Sequence, residues 1–531
     1  MQLDRRFLLT AGAGALLLPA GFARAAAPKP SVIPTGQVLN VRDFGAKGDG
    51  VTVDTPAIDK AILEASKRGG GTVYFPQGNY LCYTIHMQSL VTLYLDRGAV
   101  IVAGATPLTG AQTGYYDLAE PQDPAIEPFQ DYGHNHWKNS LIYGENLHDI
   151  AIIGDGMIWG KGLSNGRRDP DLPKAELPGV GNKAIALKNC FNVQLRDIKM
   201  LKCGHFAVLA TGVDNLVIEN LTVDTDRDGF DIDCCKNVRV HNCTVNSPYD
   251  DGICPKSSFA LGRQRATENV TISDCYVSGN YVVGTVIDGT FQRYDGVNRR
   301  AFKTGRIKCG TESNGGFKNI TITNCVFDEC QGIALETVDG ALLEDIAISN
   351  ITMRNLSSTP LFLRLGRRMR GPKDIPIGVL KRVTINNITS SGSTKMPSII
   401  AGVDGHPVED VQISNIYFEQ VGGGDAANAA IVPPALEDKY PEPGMFGPLP
   451  ATGFFIRNAK NVDISHAEIV TLAADVRPGF WMQNVDGFDA SFLKLPSGAP
   501  YFALDNVSGF RTFGSRAVPD KRFDAATKTS F

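Results

Sequence analysis

Asp226, Asp228, Asp231 and Asp233 fall together in DRDGFDID, and Asp250 and Asp251 follow in YDDG. The steps between the two clusters are 250 − 228 = 22 and 251 − 228 = 23 residues. Carboxyl groups held close together do not all ionise cheaply, so one keeps its proton while a neighbour stays anionic. A proton donor beside a carboxylate base is the equipment for acid/base cleavage of a glycosidic bond. A lone aspartate is ordinarily a turn residue; the set, at this spacing, points to chemistry.

The elements that must position these side chains are visible as a repeat. Alternating β-branched and polar residues end on Asn or Asp in NVQLRD (to Asp197), NLVIEN (to Asn220), NVRVHN (to Asn242), NVTISD (to Asp274), NITITN (to Asn324) and DIAISN (to Asn350). The shortest steps are 220 − 197 = 23 and 242 − 220 = 22 residues, and 324 − 274 = 50 is the same unit carrying an insertion. Period-two alternation inside a fixed period of this size predicts an all-β solenoid, a right-handed parallel β-helix, rather than leucine-rich repeats, which would carry spaced Leu and a helical segment. Adjacent rungs lie about 4.7 to 4.9 Å apart, so a 22- to 23-residue step stacks one aspartate cluster on the other.

The chain has 531 residues, 43% of them hydrophobic, with 56 Gly, 30 Pro and a net charge of −4. A solenoid grows by adding rungs, so one domain over residues 28–531 is expected, with insertions at about 281–305 and 421–450. The charge gives no footprint for nucleic acid or a membrane surface, and a monomer is expected. Arg5 and Arg6 precede an apolar stretch that ends in Ala23-Arg24-Ala25, which predicts a twin-arginine export signal over residues 1–27 and a periplasmic or secreted mature chain. Of eleven cysteines, Cys190, Cys243, Cys275 and Cys325 each follow Asn or Asp at the end of a repeat, so they are expected as stacked inward thiols, with no zinc spacing. Thr55 and Pro56 predict the start of a helix that stops at Gly69-Gly70-Gly71 and caps the coil before a first strand at Thr72–Phe75.

DFGAKGDGVTVDT with GGGTVYFP, then NVxIxN rungs and the two aspartate motifs, resembles the polygalacturonase family, glycoside hydrolase family 28, over nearly all of the mature chain. The resemblance implies a right-handed parallel β-helix that hydrolyses α-linked galacturonic acid in pectins with inversion and without a cofactor or metal. Carried over by residue, it makes Asp228 one catalytic carboxylate, Asp250 the general acid, and Asp251 the partner of Asp228 in activating water. Inverting carboxyl pairs generally lie about 6.5 to 9.5 Å apart and retaining ones about 5 to 5.5 Å. One-rung spacing leans to the shorter class, whereas the family inverts.

The departures narrow the substrate. Counting rungs, TGRIKCGT occupies the place of the family's Gly-His-Gly, so Arg306 replaces the histidine, and Ala334 and Glu336 replace the cations of its Arg-Ile-Lys. Arg306 and Lys308 are two apart on a strand and can meet one carboxylate together. Glu336 in a cationic position disfavours a uronate and favours neutral hydroxyls, which suggests an exo-acting enzyme for rhamnogalacturonan-type or decorated pectic oligosaccharides. Asp231 joins the substrate-binding set, and His134, His136, Trp137, Tyr440 and Glu442 are candidates to wall the groove. Arg364, Arg367, Arg368 and Arg370 are candidates for an acidic oligomer or a charged strand edge. The rival classes are a β-helix lyase or uronate epimerase, with Arg306 or Lys308 as base and calcium on the aspartates, and a non-catalytic glycan-binding coil.

Overall fold

The computed structural model describes residues 38–106, 115–165, 173–293, 303–392 and 394–531. The expected export signal, residues 1–27, lies outside the described residues, as does part of the 281–305 insertion. Gln37–Phe531 forms one compact unit. Among the described residues no helix is long and apolar enough to cross a membrane.

Strands from successive repeats pair in parallel, each with its predecessor and successor, as in Phe191–Arg196 against Asp214–Glu219 and Asp214–Glu219 against Lys236–His241. The chain is a parallel β-helix. Inward Val, Leu and Ile of every rung merge into one continuous core, so no rung buries its apolar face alone. The turn residues that ended each repeat in sequence adopt left-handed backbone, from Asp197 (φ 67°) through Asn220 (56°) and Asn242 (55°) to Asn350 (57°). Asn is suited to that region, and its amide also ties the rungs: Asn220 Nδ2 donates to Asp197 Oδ1 at 2.8 Å and Asn242 Nδ2 to Asn220 Oδ1 at 3.0 Å.

A six-stranded parallel sheet carries the acidic cluster, its strands running from Ile85–His86 through Lys183–Lys188 and Phe206–Thr211 to Asp228–Asp233 and Ile253–Lys256. Ile253 then bridges to Ile307 in parallel, and Lys308 pairs with Ala334. The segment containing Arg306 is therefore the rung directly after the Asp250-Asp251 rung, as the count of repeats had it.

The capping helix spans Thr55–Lys67 and buries Ile58, Ala61, Ile62 and Ala65. Its start differs by one residue from the expectation: Asp54 is the N-cap. Thr55 is free to be helical because its hydroxyl accepts from Tyr83 N at 2.8 Å, while the Asp54 carboxylate is committed to Lys47 N and Gly48 N at 2.6 and 2.9 Å. The coil also begins earlier than Thr72, since Val38–Asn40 already pairs with Gly71–Phe75. All eleven cysteines are buried and unbridged.

Candidate active site

Period-two alternation separates the chemistry from the core. Phe230, Ile232, Ile253, Ile307, Cys309, Ile333 and Leu335 point into the core. Asp231, Lys256, Arg306, Lys308 and Glu336, each an odd number of positions from one of these on its strand, must then stand on the other face. Phe230 pairs with Ile253, and Gly229 N donates to Asp251 O at 3.0 Å, which sets Asp228 level with Asp251 one rung on. Gly229 has no room for a side chain: a Cβ there would lie 2.2 Å from Gly252 O. Close backbone approach is what lets Asp228, Asp250 and Asp251 converge, with one oxygen of each within 4.8 Å of the others.

Cations divide the three carboxyls unequally. Arg227 Nη2 and Nε donate to Asp250 Oδ2 at 2.8 and 3.2 Å. Arg306 Nε donates to Asp251 Oδ1 at 2.8 Å, and Lys308 Nζ lies 2.5 Å from Asp251 Oδ2. Among the described residues Asp228 has only Arg227 Nη2, at 4.0 Å, as a paired cation. Burial, then the neighbouring Asp250 and Asp231 charges, hold the Asp228 carboxyl well above the usual carboxylate range. Burial also acts against ionisation of Asp250 and Asp251, but Arg227 and Lys308 outweigh it at Asp250, and Lys308 and Arg306 at Asp251, leaving both below that range. Asp228 is thus the member on which a proton is held most strongly, and Asp250, with its side chain 24% exposed, is the one that solvent reaches and whose charge is favoured; Asp251 is 1% exposed. The separations fall on the short side of the general distance rule, as one-rung stacking implies.

A second layer of charge surrounds the three. Lys256 Nζ donates to Glu312 Oε2 at 3.1 Å and lies 3.8 Å from Asp231 Oδ2, while His134 Nε2 lies 3.3 Å from the same Asp231 oxygen. Glu336 Oε2 accepts from Thr311 Oγ1 at 3.0 Å, and its Oε1 lies 3.8 Å from Arg306 Nη2. Burial lifts Glu336 to about 7 against the pull of Lys308 and Arg306. From the 421–450 excursion, Tyr440 OH meets Thr311 Oγ1 at 3.1 Å and Glu442 Oε1 accepts from Arg306 Nη2 at 2.9 Å. The structure therefore brings together Asp228, Asp231, Asp250, Asp251, Arg306, Lys308, Glu336 and Tyr440.

His136 and Trp137, expected to wall the groove, are instead buried and present no face to it. His136 is 1% exposed, lies against the Tyr132 ring at 4.1 Å and donates from Nδ1 to Tyr132 O at 2.8 Å. Trp137 is buried on Ala186, Phe206, Leu209 and Ala260, and its Nε1 donates to Thr211 Oγ1 at 3.0 Å. They cover the sheet on the amino-terminal side of the site. The arginines of LRLGRRMR are likewise spent internally: Arg364 donates to the carbonyls of Ala435 and Leu436, Arg368 pairs with Asp339, Arg367 with Glu437 and Arg370 with Asp131. Arg227, Lys256, Thr311 and Glu312 were not anticipated. For Lys256 the signal was present, since it stands two residues after Cys254 and pairs with Asp233 across the rung.

The aspartate trio suits a metal ion poorly. Asp250 Oδ2 and both Asp251 oxygens already receive Arg or Lys donors, and burial disfavours the charge of Asp228. Nor is Lys308 a free base: although burial disfavours its charge, Asp251 against it raises it well above the ordinary lysine range.

A family model described as rhamnogalacturonase A/epimerase, pectate lyase-like, matches residues 38–113, and one described as right handed beta helix region matches residues 174–298. A probable polygalacturonase of Vitis vinifera is 24% identical over 404 residues, 70% of this chain and 72% of the relative. An exopolygalacturonase of Platanus acerifolia is 23% identical over 76% of this chain and 97% of the relative. The chain is a divergent polygalacturonase-like protein. Among solved structures, a family 28 exopolygalacturonase of Yersinia enterocolitica superposes on this polygalacturonase-like chain with a TM-score of 0.60 at 18% identity, over 87% of this chain and 79% of that one, a likeness of fold. The fold is a right-handed parallel β-helix. A mannuronan C5-epimerase of Azotobacter vinelandii also matches, at 54% identity over 211 residues, 38% of this chain and 11% of the relative.

Proposed function

We propose that this protein is a glycoside hydrolase that degrades pectin, cutting α-galacturonosyl linkages with its aspartate trio. One observation carries the assignment of roles: Asp250 and Asp251 each hold a cation within hydrogen-bond distance and Asp228 does not. Asp228 accordingly donates the proton to the leaving oxygen, and Asp250, ionised and wetted, activates the water. This exchanges the roles that the family resemblance implies for those two residues. Asp251, sealed under Arg306 and Lys308, orients the cluster. Inversion is what the family resemblance implies, with water rather than Asp250 itself attacking the sugar, and it is assigned although the carboxyl oxygens lie closer than the general rule gives for inverting pairs.

Two features support the narrower reading of an exo-acting enzyme on rhamnogalacturonan-type or decorated oligosaccharides. The sheet is covered on one side by Trp137 and its loop. On the other side it is covered by Phe446, Leu449 and Ala451, which sit on Ala334, Phe362 and Phe455. A short stretch of floor between two covers suits a chain end. Lys256, Arg306, Lys308 and Arg368 are each paired with a carboxylate, and Glu336 fills the position where a second cation would hold another uronate. Incubation with defined galacturonan and rhamnogalacturonan oligosaccharides, followed by NMR of the first product anomer, tests the proposal. Saturated products of inverted configuration are expected. An ultraviolet-absorbing unsaturated product, an epimerised but uncut chain, or no reaction overturns it.

A further inference from the structure

Arg306 is 1% exposed and stands among three carboxylates. Asp251 binds its Nε at 2.8 Å, Glu442 its Nη2 at 2.9 Å, and Glu336 Oε1 lies 3.8 Å away. Asp251 and Glu336 belong to the rungs of the floor. Glu442 arrives from the other side, on the excursion, with its side chain 37% exposed.

The excursion is anchored around that contact. Arg364 Nη2 donates to Ala435 O and Leu436 O at 3.2 and 3.1 Å, and Arg367 N to Glu437 O at 2.7 Å. Phe446 and Leu449 seat the far end in an apolar cluster. Between the anchors Asp438, Lys439 and Tyr440 are exposed, and the tip meets the floor through Tyr440 on Thr311 and Glu442 on Arg306. The floor does not satisfy Arg306 by itself: Glu336 Oε1 has no hydrogen-bond partner and stays beyond bonding distance of the guanidinium. A carboxylate presented from the solvent side completes it.

We propose that Glu442 is an internal stand-in for a sugar carboxylate: it occupies the Arg306 Nη2 edge that a uronate takes when the oligosaccharide enters, so binding exchanges one carboxylate for another. The proposal rests on the reading of the site as a pectic hydrolase. The exchange makes Arg306 selective. An acidic sugar replaces the ion pair it breaks, whereas a neutral sugar has no charge to offer the buried guanidinium and binds with the Glu442 pair left in place.

The test is calorimetric titration of Asp228→Asn protein, whose turnover is slowed enough for binding to be read, with digalacturonate and with a neutral galactose disaccharide, alone and combined with Glu442→Gln. Removing the internal competitor is expected to tighten digalacturonate about tenfold, the effect of a modest charge-pair coupling, and to leave the neutral disaccharide unchanged. Unchanged or weaker digalacturonate binding in Glu442→Gln overturns the inference, as does equal tightening of both ligands or no digalacturonate binding to either protein. Glu442→Ala, checked by thermal unfolding, guards against a folding artefact and is expected to match Glu442→Gln. If wild type cuts pectic oligosaccharides but Glu442→Gln tightens nothing, the inference alone fails; if digalacturonate tightens but wild type cuts nothing, the functional reading alone fails.

Discussion

Replacing Arg227 by methionine keeps much of the side-chain volume and removes the guanidinium that holds Asp250 at 2.8 and 3.2 Å. Unit charges about 4 Å apart at an effective dielectric of about 20 attract by about 4 kcal/mol. The two side chains are 19% and 24% exposed, and Lys308 continues to favour the Asp250 charge, so about half of that is lost with Arg227. At about 1.4 kcal/mol per pH unit, the ionisation of Asp250 moves by about 1 to 2 pH units. The sign follows from the role. A base must be ionised, so activity is present above its ionisation range and lost as pH falls through it. Without Arg227 that loss comes earlier on acidification, and the acid limb of kcat/KM moves to higher pH. The assay is kcat/KM on a pectic oligosaccharide across about pH 3 to 7, with thermal unfolding at each pH as a control for folding. An acid limb that stays in place or moves lower refutes the assignment of Asp250 as the base.

Other substitutions separate the remaining parts. Asp228→Asn removes the proposed donor and should lower kcat by about 100- to 10,000-fold while leaving the unfolding temperature unchanged or higher, because an uncharged amide resembles the protonated carboxyl it replaces. Lys308→Met leaves the buried Asp251 with Arg306 alone, and urea unfolding should show a loss of about 3 to 5 kcal/mol. Glu336, lifted by burial from 4.5 to about 7, binds more protons folded than unfolded, so its contribution is full below about pH 4.5 and falls as pH rises to about 7. Glu336→Gln should flatten that decline, by up to about 3 kcal/mol, in unfolding measured across the same window. Trp137→Phe loses the hydrogen bond to Thr211 and should cost about 1 kcal/mol of stability with KM unchanged, since the ring is packed on Ala186 and Leu209.

How far the site was readable follows from the kind of element that carries each residue. Asp228 and Asp251 lie on rungs whose period and alternation fix which residues stack, so their convergence was available from spacing. The same two-residue rule put Arg306 and Lys308 on one face, where substrate was expected to meet them; the carboxylate they both reach is Asp251. His136 and Trp137 sit in a connection without periodicity, and nothing in GHNHWKNS indicated that the indole would turn onto Ala186 and Leu209. Arg227 lies just before its strand, where backbone period no longer dictates direction. Cys190, Cys243, Cys275 and Cys325 behaved as inward small hydrophobes because they occupy one strand-end position common to several rungs.

By itself the sequence determined the β-helix, the rung on which each aspartate lies and the face on which Arg306, Lys308 and Glu336 stand. These depend on strand alternation and on a repeat that stacks like residues on like, both properties of local chain geometry. Tertiary structure alone decided which aspartate keeps its proton and which cation Glu442 caps. Those outcomes depend on burial and on charges a few ångströms apart, supplied by Arg227 from a turn and by a residue 136 positions along the chain from Arg306, and electrostatic energy at that range follows distance in space, not separation in sequence.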